Sequence, residues 1–360
     1  MDKFEIDCLI IGGGVAGLAS AKYLSNKFKK IFLIEKNNHL GMETSSRNSE
    51  VVHAGIYYKK DSLKSKFCLK GKYLLYDYLS NNNISFLRCG KYIVSTNQEE
   101  SEKLEKIRLN AIDCGLEDLN YEKSLKKTYP FLKVLNSLFS PSSGIFDSHS
   151  FLKSLESDFV SNGGQVLLGN KCKDISDNDQ FFEVLVSDQN NNLQYIFKTK
   201  HLINAAGIAS SNVANMIDKS KKFNTQLIKG EYYSYHGKEK LNHLIYPIPG
   251  KYSLGLHATI DLGKGIRFGP SAIETDSLDY EVEIKNKIDF INSIKKYWPN
   301  IDENNLHPDY SGIRAKIRGK EDFSIDKIFS KEKIAINIVG YISPGLTSSL
   351  ALGEYIEKYF

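Results

Sequence analysis

No two cysteines in this 360-residue chain are spaced as C-x-x-C. The five that occur, Cys8, Cys68, Cys89, Cys114 and Cys172, are dispersed and odd in number. They read as reduced thiols in a reducing compartment rather than a disulfide framework. The chain also lacks a compact Lys/Arg block: 48 basic and 43 acidic residues leave a net charge of +5, scattered along its length. That distribution calls for no nucleic acid, while an anionic small substrate, or a weak contact with an anionic membrane surface, is compatible with it. Long hydrophobic runs are missing too, since the most apolar early stretch is cut by three consecutive glycines and is short for a membrane span. The N-terminal MDKFEIDC is too acidic for a transit peptide and has no apolar stretch behind a basic start. The expected location is cytoplasmic, with peripheral contact at the inner face of a membrane as a variant. Internal repeats are absent, and no metal is called for.

What is present begins with a short buried strand at residues 4–11, alternating at first and then continuously apolar. Gly12-Gly13-Gly14-Val15-Ala16-Gly17 follows at once, then a predicted helix over 18–28 and a second strand, Ile31-Phe32-Leu33-Ile34, ending in Glu35. This is G-x-G-x-x-G in the setting it requires: strand, tight turn, helix, strand and acid. Gly12 permits the turn, Gly14 lets the backbone reach a pyrophosphate, and Gly17 allows close helix–strand packing. The helix N-terminus then faces the phosphates, and Glu35 accepts from ribose hydroxyls. A single such motif favours one tightly held dinucleotide, reduced directly by a small substrate. The missing dithiol excludes a disulfide reductase.

Further along, helices are predicted over 63–79, 99–113, 148–161 and 284–297. Strands are predicted over 165–168, 181–186, 195–199 and 334–339. His201 to Gly207 reads as a strand running into a small-residue turn. Between Phe223 and Phe268 the pattern shifts to alternating aromatic and apolar strands, among them Gly230 to Tyr235, Leu244 to Tyr246 and Leu254 to His257. That shift marks a second, mostly antiparallel domain. Pro344 stands near the start of a last helix.

Between the two patterns lies SSRNSEVVHAGIYY, residues 45–58. Its small hydroxyl residues, Arg47, Asn48, His53, Gly55 and two tyrosines suit a loop that passes close to a planar cofactor. With SGIFD at 143–147, NAAGIAS from Asn204, KGEYY from Lys229, LIYPIP from Leu244, LGLHAT from Leu254, YSGIRAKI from Tyr310 and SPGLTSSLALGEYI from Ser343, it carries a resemblance that spans the whole chain. The sequence resembles the D-amino-acid-oxidase-like superfamily of FAD enzymes, and within it the L-2-hydroxyglutarate dehydrogenase/oxidase group.

The resemblance implies an α/β fold: a discontinuous Rossmann-like FAD-binding domain (1–85, 143–217, 310–360) with an inserted, mostly antiparallel α+β substrate domain (86–142, 218–309). It implies oxidation of a 2-hydroxy acid by hydride transfer to flavin N5, with electrons passing to a quinone, an acceptor flavoprotein or oxygen. Amino acids, secondary amines and glycerol 3-phosphate are the alternative substrates among relatives. Cofactor contacts are expected at Gly12, Gly14, Val15, Ala16, Gly17, Glu35, Lys36, Thr44, Ser45, Ser46, Arg47, Asn48, Ser49, Cys172, Ala206, Gly207, Pro344, Gly345, Leu346 and Thr347. The last helix start is expected to stabilise an anionic reduced flavin.

Oxidising a 2-hydroxy acid also needs a base and cationic clamps. His53 and His257 are the candidate bases, because imidazole titrates near working pH. Arg314 is the candidate carboxylate clamp, its planar fork matching a carboxylate. Lys316 is a second cation for a dicarboxylate, and Tyr58, Tyr232 and Tyr246 are hydrogen-bonding candidates.

Overall fold

The computed structural model describes residues 1–220, 222–250 and 255–360. They form two units, each made of separate chain segments. The first comprises residues 1–46, 148–227 and 314–360, and the second residues 47–147 and 228–313.

The first unit is built on an eight-stranded sheet. Its centre is five parallel strands in the order Lys333–Val339, Leu193–Asn204, Asp2–Ile11, Ile31–Glu35 and Gln165–Leu168. Parallel strands are covered on both faces, which is why Cys8-Leu9-Ile10-Ile11 is an unbroken buried run. Three antiparallel strands complete the sheet: Asn170–Asp177, Phe182–Asp188 and Ser324–Ser330. The helix Val15–Leu24 starts three residues earlier than its apolar pattern suggested, capped by Gly14. It packs against the last helix, Gly345–Glu357, at backbone distance. A Cβ on Gly353 would lie 2.6 Å from the carbonyl oxygen of Ala19.

The second unit holds a nine-stranded sheet. Lys91–Ser95 runs parallel to Leu244–Pro247 and antiparallel to Asn136–Ser140, and His257–Ile260 pairs antiparallel with both Leu244–Pro247 and Ile266–Gly269. Successive side chains alternate faces, and the register fixes what each face carries. Tyr233 stands opposite Phe268, Phe268 opposite Ala258, and Ala258 opposite Ile245. These belong to an apolar core in which Tyr233 meets Phe290 at 4.4 Å and Phe268 meets Trp298 at 5.9 Å between ring centroids. Phe290 lies on the helix Lys287–Lys295, which is preceded by a 3-10 turn and is shorter than the 284–297 expected.

Two expectations need correction. Residues 47–85, expected with the nucleotide-binding domain, belong to the second unit. Their apolar groups are buried there: Val51 joins the core of Tyr233 and Trp298, Ala54 and Ile56 pack with Ile93, and Tyr76 bonds the Ser142 carbonyl at 3.2 Å. Smaller boundary shifts go the same way at 143–147 and 310–313, whereas 218–227 falls to the first unit. The strand expected from Leu254 begins instead at His257 (His257–Ile260), because Gly255, at φ +80°, turns the chain just before it. Leu254 itself lies outside the described residues.

Candidate active site

In the first unit, the end of Asp2–Ile11 opens into a cleft lined by Gly12, Gly14, Glu35, Ser45 and Ala206. Gly12 has φ +108°, and a Cβ there would stand 2.4 Å from the carbonyl oxygen of Ala205. A Cβ on Gly17 would stand 1.9 Å from the carbonyl oxygen of Gly12. The turn therefore exists only with glycine at both positions. Among the described residues, the N–H groups of Gly14 and Ala16 have no internal acceptor at this helix start, as donors awaiting an anion do not.

Glu35 is buried and holds the turn from below. One carboxylate oxygen accepts Gly13 N–H at 2.7 Å, and the other accepts the Asn37 backbone and side-chain N–H groups, each at 2.8 Å. Ser45 Oγ accepts Val15 N–H at 3.0 Å, tying the following loop to the helix start. Lys36 pairs with Glu43 at 2.7 Å, and Ser46 Oγ donates to the Glu43 carbonyl at 3.3 Å. Lys36, Thr44, Ser45, Cys172, Ala206 and Gly207 all line the cleft. Burial pushes the Cys172 thiol up to about 12, so it is a neutral wall group. Pro344, Gly345, Leu346 and Thr347 form the start of the last helix, where Tyr341 Oη donates to the Gly345 carbonyl at 3.1 Å.

In the second unit, the sheet face opposite the Tyr233–Phe268 row carries several polar groups. Since Ile245 stands opposite Ala258, Tyr246 stands opposite His257. Likewise Tyr232 falls opposite Gly269, which pairs with His257. Tyr246 also faces Ile93, two residues from Lys91 on the same side of its strand. One row thus carries Tyr232, His257, Tyr246 and Lys91. The His257 ring stacks on Tyr246 at 3.8 Å and 11°. Its Nδ1 lies 3.0 Å from the Gly255 carbonyl oxygen, which can only accept. Nδ1 therefore carries the hydrogen, and in the neutral ring Nε2 keeps the lone pair.

His53 and Tyr57 come from the loop before the helix Leu63–Asn81. Burial first, then the charges of Lys91 and His257, hold the His53 imidazole down to about 3, so it is neutral at working pH. Burial likewise lowers Lys91 to about 8. Tyr58 is fixed through its carbonyl, which accepts from Asn110 at 3.0 Å.

The rest of the 45–58 loop is bound to its own unit. Arg47 Nη1 donates to the Ser311 carbonyl at 3.3 Å, and its guanidinium covers the Tyr280 ring at 4.1 Å. The Asn48 carbonyl accepts from Tyr310 Oη, and Ser49 Oγ meets Tyr232 Oη at 2.8 Å. Tyr232 stacks on Tyr310 at 4.5 Å. Arg314 and Lys316 occupy alternate positions of the strand Leu306–Ile317, both half-buried, with Ile313, Ala315 and Ile317 buried on its other face. Sequence reasoning missed Lys91 and Tyr57. For Lys91 the local signal is a lysine at the head of the strand KYIVS, and Tyr57 has none beyond its place in the 45–58 loop.

A parallel sheet with this glycine turn fits a dinucleotide-dependent enzyme, and the second unit adds two histidines, His53 on a loop and His257 on its sheet, with the buried Lys91. The particular family follows from comparison. A family model described as FAD dependent oxidoreductase matches residues 7–358, and the chain belongs to that family. It is 34% identical to the mitochondrial L-2-hydroxyglutarate dehydrogenase of Arabidopsis thaliana, over 99% of this chain and 84% of the relative. It is 27% identical to the L-2-hydroxyglutarate dehydrogenase of Salmonella houtenae, over 97% and 92%. Among solved structures it is similar to the FAD-bound L-alpha-glycerophosphate oxidase of Mycoplasma pneumoniae, with a TM-score of 0.88 and 26% identity, covering 98% of this chain and 93% of that one.

The expected Rossmann-like fold with a substrate domain is therefore the observed one, and the cofactor is FAD. The cleft fits it: the glycine turn leaves room for a pyrophosphate, and the Gly14 and Ala16 N–H groups supply donors. When bound, FAD supplies the hydride acceptor. Such an enzyme takes a reducing substrate and passes its electrons to an acceptor.

Proposed function

We propose that the protein oxidises L-2-hydroxyglutarate to 2-oxoglutarate. The observation that supports this most is the relationship, along nearly the whole chain, to dehydrogenases named for that substrate in plants and bacteria. The chemistry agrees. The C2 hydroxyl gives up its proton to a neutral imidazole, for which His53 and His257 are the candidates, His53 being a poorer acceptor than an ordinary imidazole because burial holds it down to about 3, while the C2 hydrogen leaves as hydride to the flavin. Arg314 is the candidate clamp for one substrate carboxylate, and Lys316 lies on the same strand face. Tyr58, Tyr232 and Tyr246 remain the hydrogen-bonding assignments, and the residues named above around the glycine turn, Glu35 and Lys36, the 44–49 loop, Cys172, Ala206–Gly207 and the last helix start remain the cofactor contacts. Quinone, an acceptor flavoprotein or oxygen completes the cycle. No helix among the described residues is long and apolar enough to cross a membrane.

A second reading, oxidation of glycerol 3-phosphate, is favoured by the similarity to the glycerophosphate oxidase. One experiment separates the two: anaerobic visible spectra of the purified flavoprotein after adding L-2-hydroxyglutarate, its D enantiomer or glycerol 3-phosphate. Bleaching by the L-hydroxy acid alone is the expected result. Bleaching by glycerol 3-phosphate, with the hydroxy acid inert, would reject the dicarboxylate reading.

A further inference from the structure

Lys91 is 1% exposed, yet its ammonium has no hydrogen-bond acceptor and no acidic partner among the described residues. It lies 4.6 Å from the ring centroid of Tyr246 and 5.2 Å from that of Tyr57. Both phenol oxygens are buried and have no hydrogen-bond partner among the described residues. The nearest ionisable groups do not supply an anion. Burial keeps the Cys68 and Cys89 thiols protonated, at about 12 and about 11, and His53 is neutral.

The ring faces attract the ammonium, but they leave its three N–H donors unused. An unpaired buried charge and two unpaired buried hydroxyls are costly to keep in a folded protein. A water molecule would satisfy the hydroxyls without neutralising the charge. A carboxylate does both, bringing one negative charge and about four acceptor positions.

We propose that Lys91, with the hydroxyls of Tyr57 and Tyr246, rather than Lys316, binds the substrate carboxylate remote from the carbon that is oxidised. This rests on the dicarboxylate reading and makes Lys91 the residue that selects a dicarboxylic over a monocarboxylic substrate. Lys91 remains a binding and specificity residue, with no part in moving the hydride.

The test is calorimetric titration of the FAD-loaded enzyme with glutarate and with valerate, which has the same number of carbons and one carboxylate. Wild type is expected to bind glutarate at least about tenfold more tightly. Lys91→Met should weaken glutarate by roughly 30-fold or more and leave valerate within about twofold. Tyr57→Phe should weaken glutarate by about fivefold, and it carries the test if Lys91→Met does not retain flavin. Equal loss of both ligands, or unchanged glutarate binding, overturns the proposal. So does inorganic phosphate that binds more tightly than glutarate and depends on Lys91. If L-2-hydroxyglutarate fails to reduce the flavin while glutarate binding still depends on Lys91, the clamp stands and the substrate reading falls.

Discussion

Replacing Lys91 with methionine should stabilise the ligand-free protein, and by an amount that depends on pH. Burial lowers the Lys91 ammonium from 10.5 to about 8. At about 1.36 kcal/mol per pH unit, that drop corresponds to about 3 kcal/mol of penalty for holding the charged form in the fold. The sign follows from proton binding. Between pH 8 and 10.5 the unfolded chain holds a proton that the folded state has released, so folded stability rises with pH across that window. The penalty is fully present below about pH 8 and gone above 10.5. Lys91→Met removes it, so the variant should exceed wild type by about 3 kcal/mol near neutrality, with the gap closing toward pH 10.5. Methionine adds some apolar burial, but that contribution does not vary with pH.

The chain's single tryptophan, Trp298, is fully buried in the second unit and reports on it directly. Urea unfolding followed by Trp298 fluorescence, in buffers without carboxylate or phosphate, measures the gap. A variant less stable than wild type near neutrality, or a gap that does not change with pH, would refute the account of Lys91 as an unpaired buried cation.

Gly17→Ala should abolish flavin retention, since its Cβ would meet the Gly12 carbonyl oxygen at 1.9 Å; the ratio of visible to ultraviolet absorbance reads this, and a fully yellow variant contradicts it. Gly353→Val should separate the first and last helices of the nucleotide-binding unit and cost at least about 2 kcal/mol, seen as a lower melting temperature. His53 resists protonation from its ordinary 6.5 down to about 3, so acid weakens the folded state across that window; His53→Gln should flatten the fall of melting temperature with decreasing pH, and an unaltered slope counts against burial of a neutral imidazole. Arg314→Lys should raise KM for L-2-hydroxyglutarate at least about tenfold with flavin content unchanged, and unchanged kinetics remove Arg314 from substrate binding.

The nucleotide-binding half was legible because its determinants are local. Gly12, Gly17 and Glu35 lie within one strand–turn–helix–strand unit, and each constrains the backbone next to it. Glu35 shows where local reading stops, since bonds to Gly13 and Asn37 that no motif specifies already engage both its carboxylate oxygens. Residues 47–85 were misplaced for a related reason. An amphipathic segment with Phe67, Leu75 and Leu79 declares a buried face without declaring which sheet will cover it. Lys91 was invisible in a different way. It joins Tyr246 and His257 through a register between strands about 150 residues apart in sequence, and no spacing along the chain encodes that alignment.

The alternation of the nine-stranded sheet separates two kinds of change. Substitutions at Tyr233, Phe268 or Ala258 act on the packed face and register as lost stability. Those at Lys91, His257 or Tyr232 act on the opposite face, whereas Tyr246 belongs to both, stacking on His257 and packing in the same core as Tyr233. A slip of one residue in pairing would exchange the two faces and bury the charges where the aromatic core belongs. The correct arrangement of the binding groups is therefore secured by the same choice that folds the sheet, and new substrate preferences can be explored along one row of side chains without renegotiating the fold.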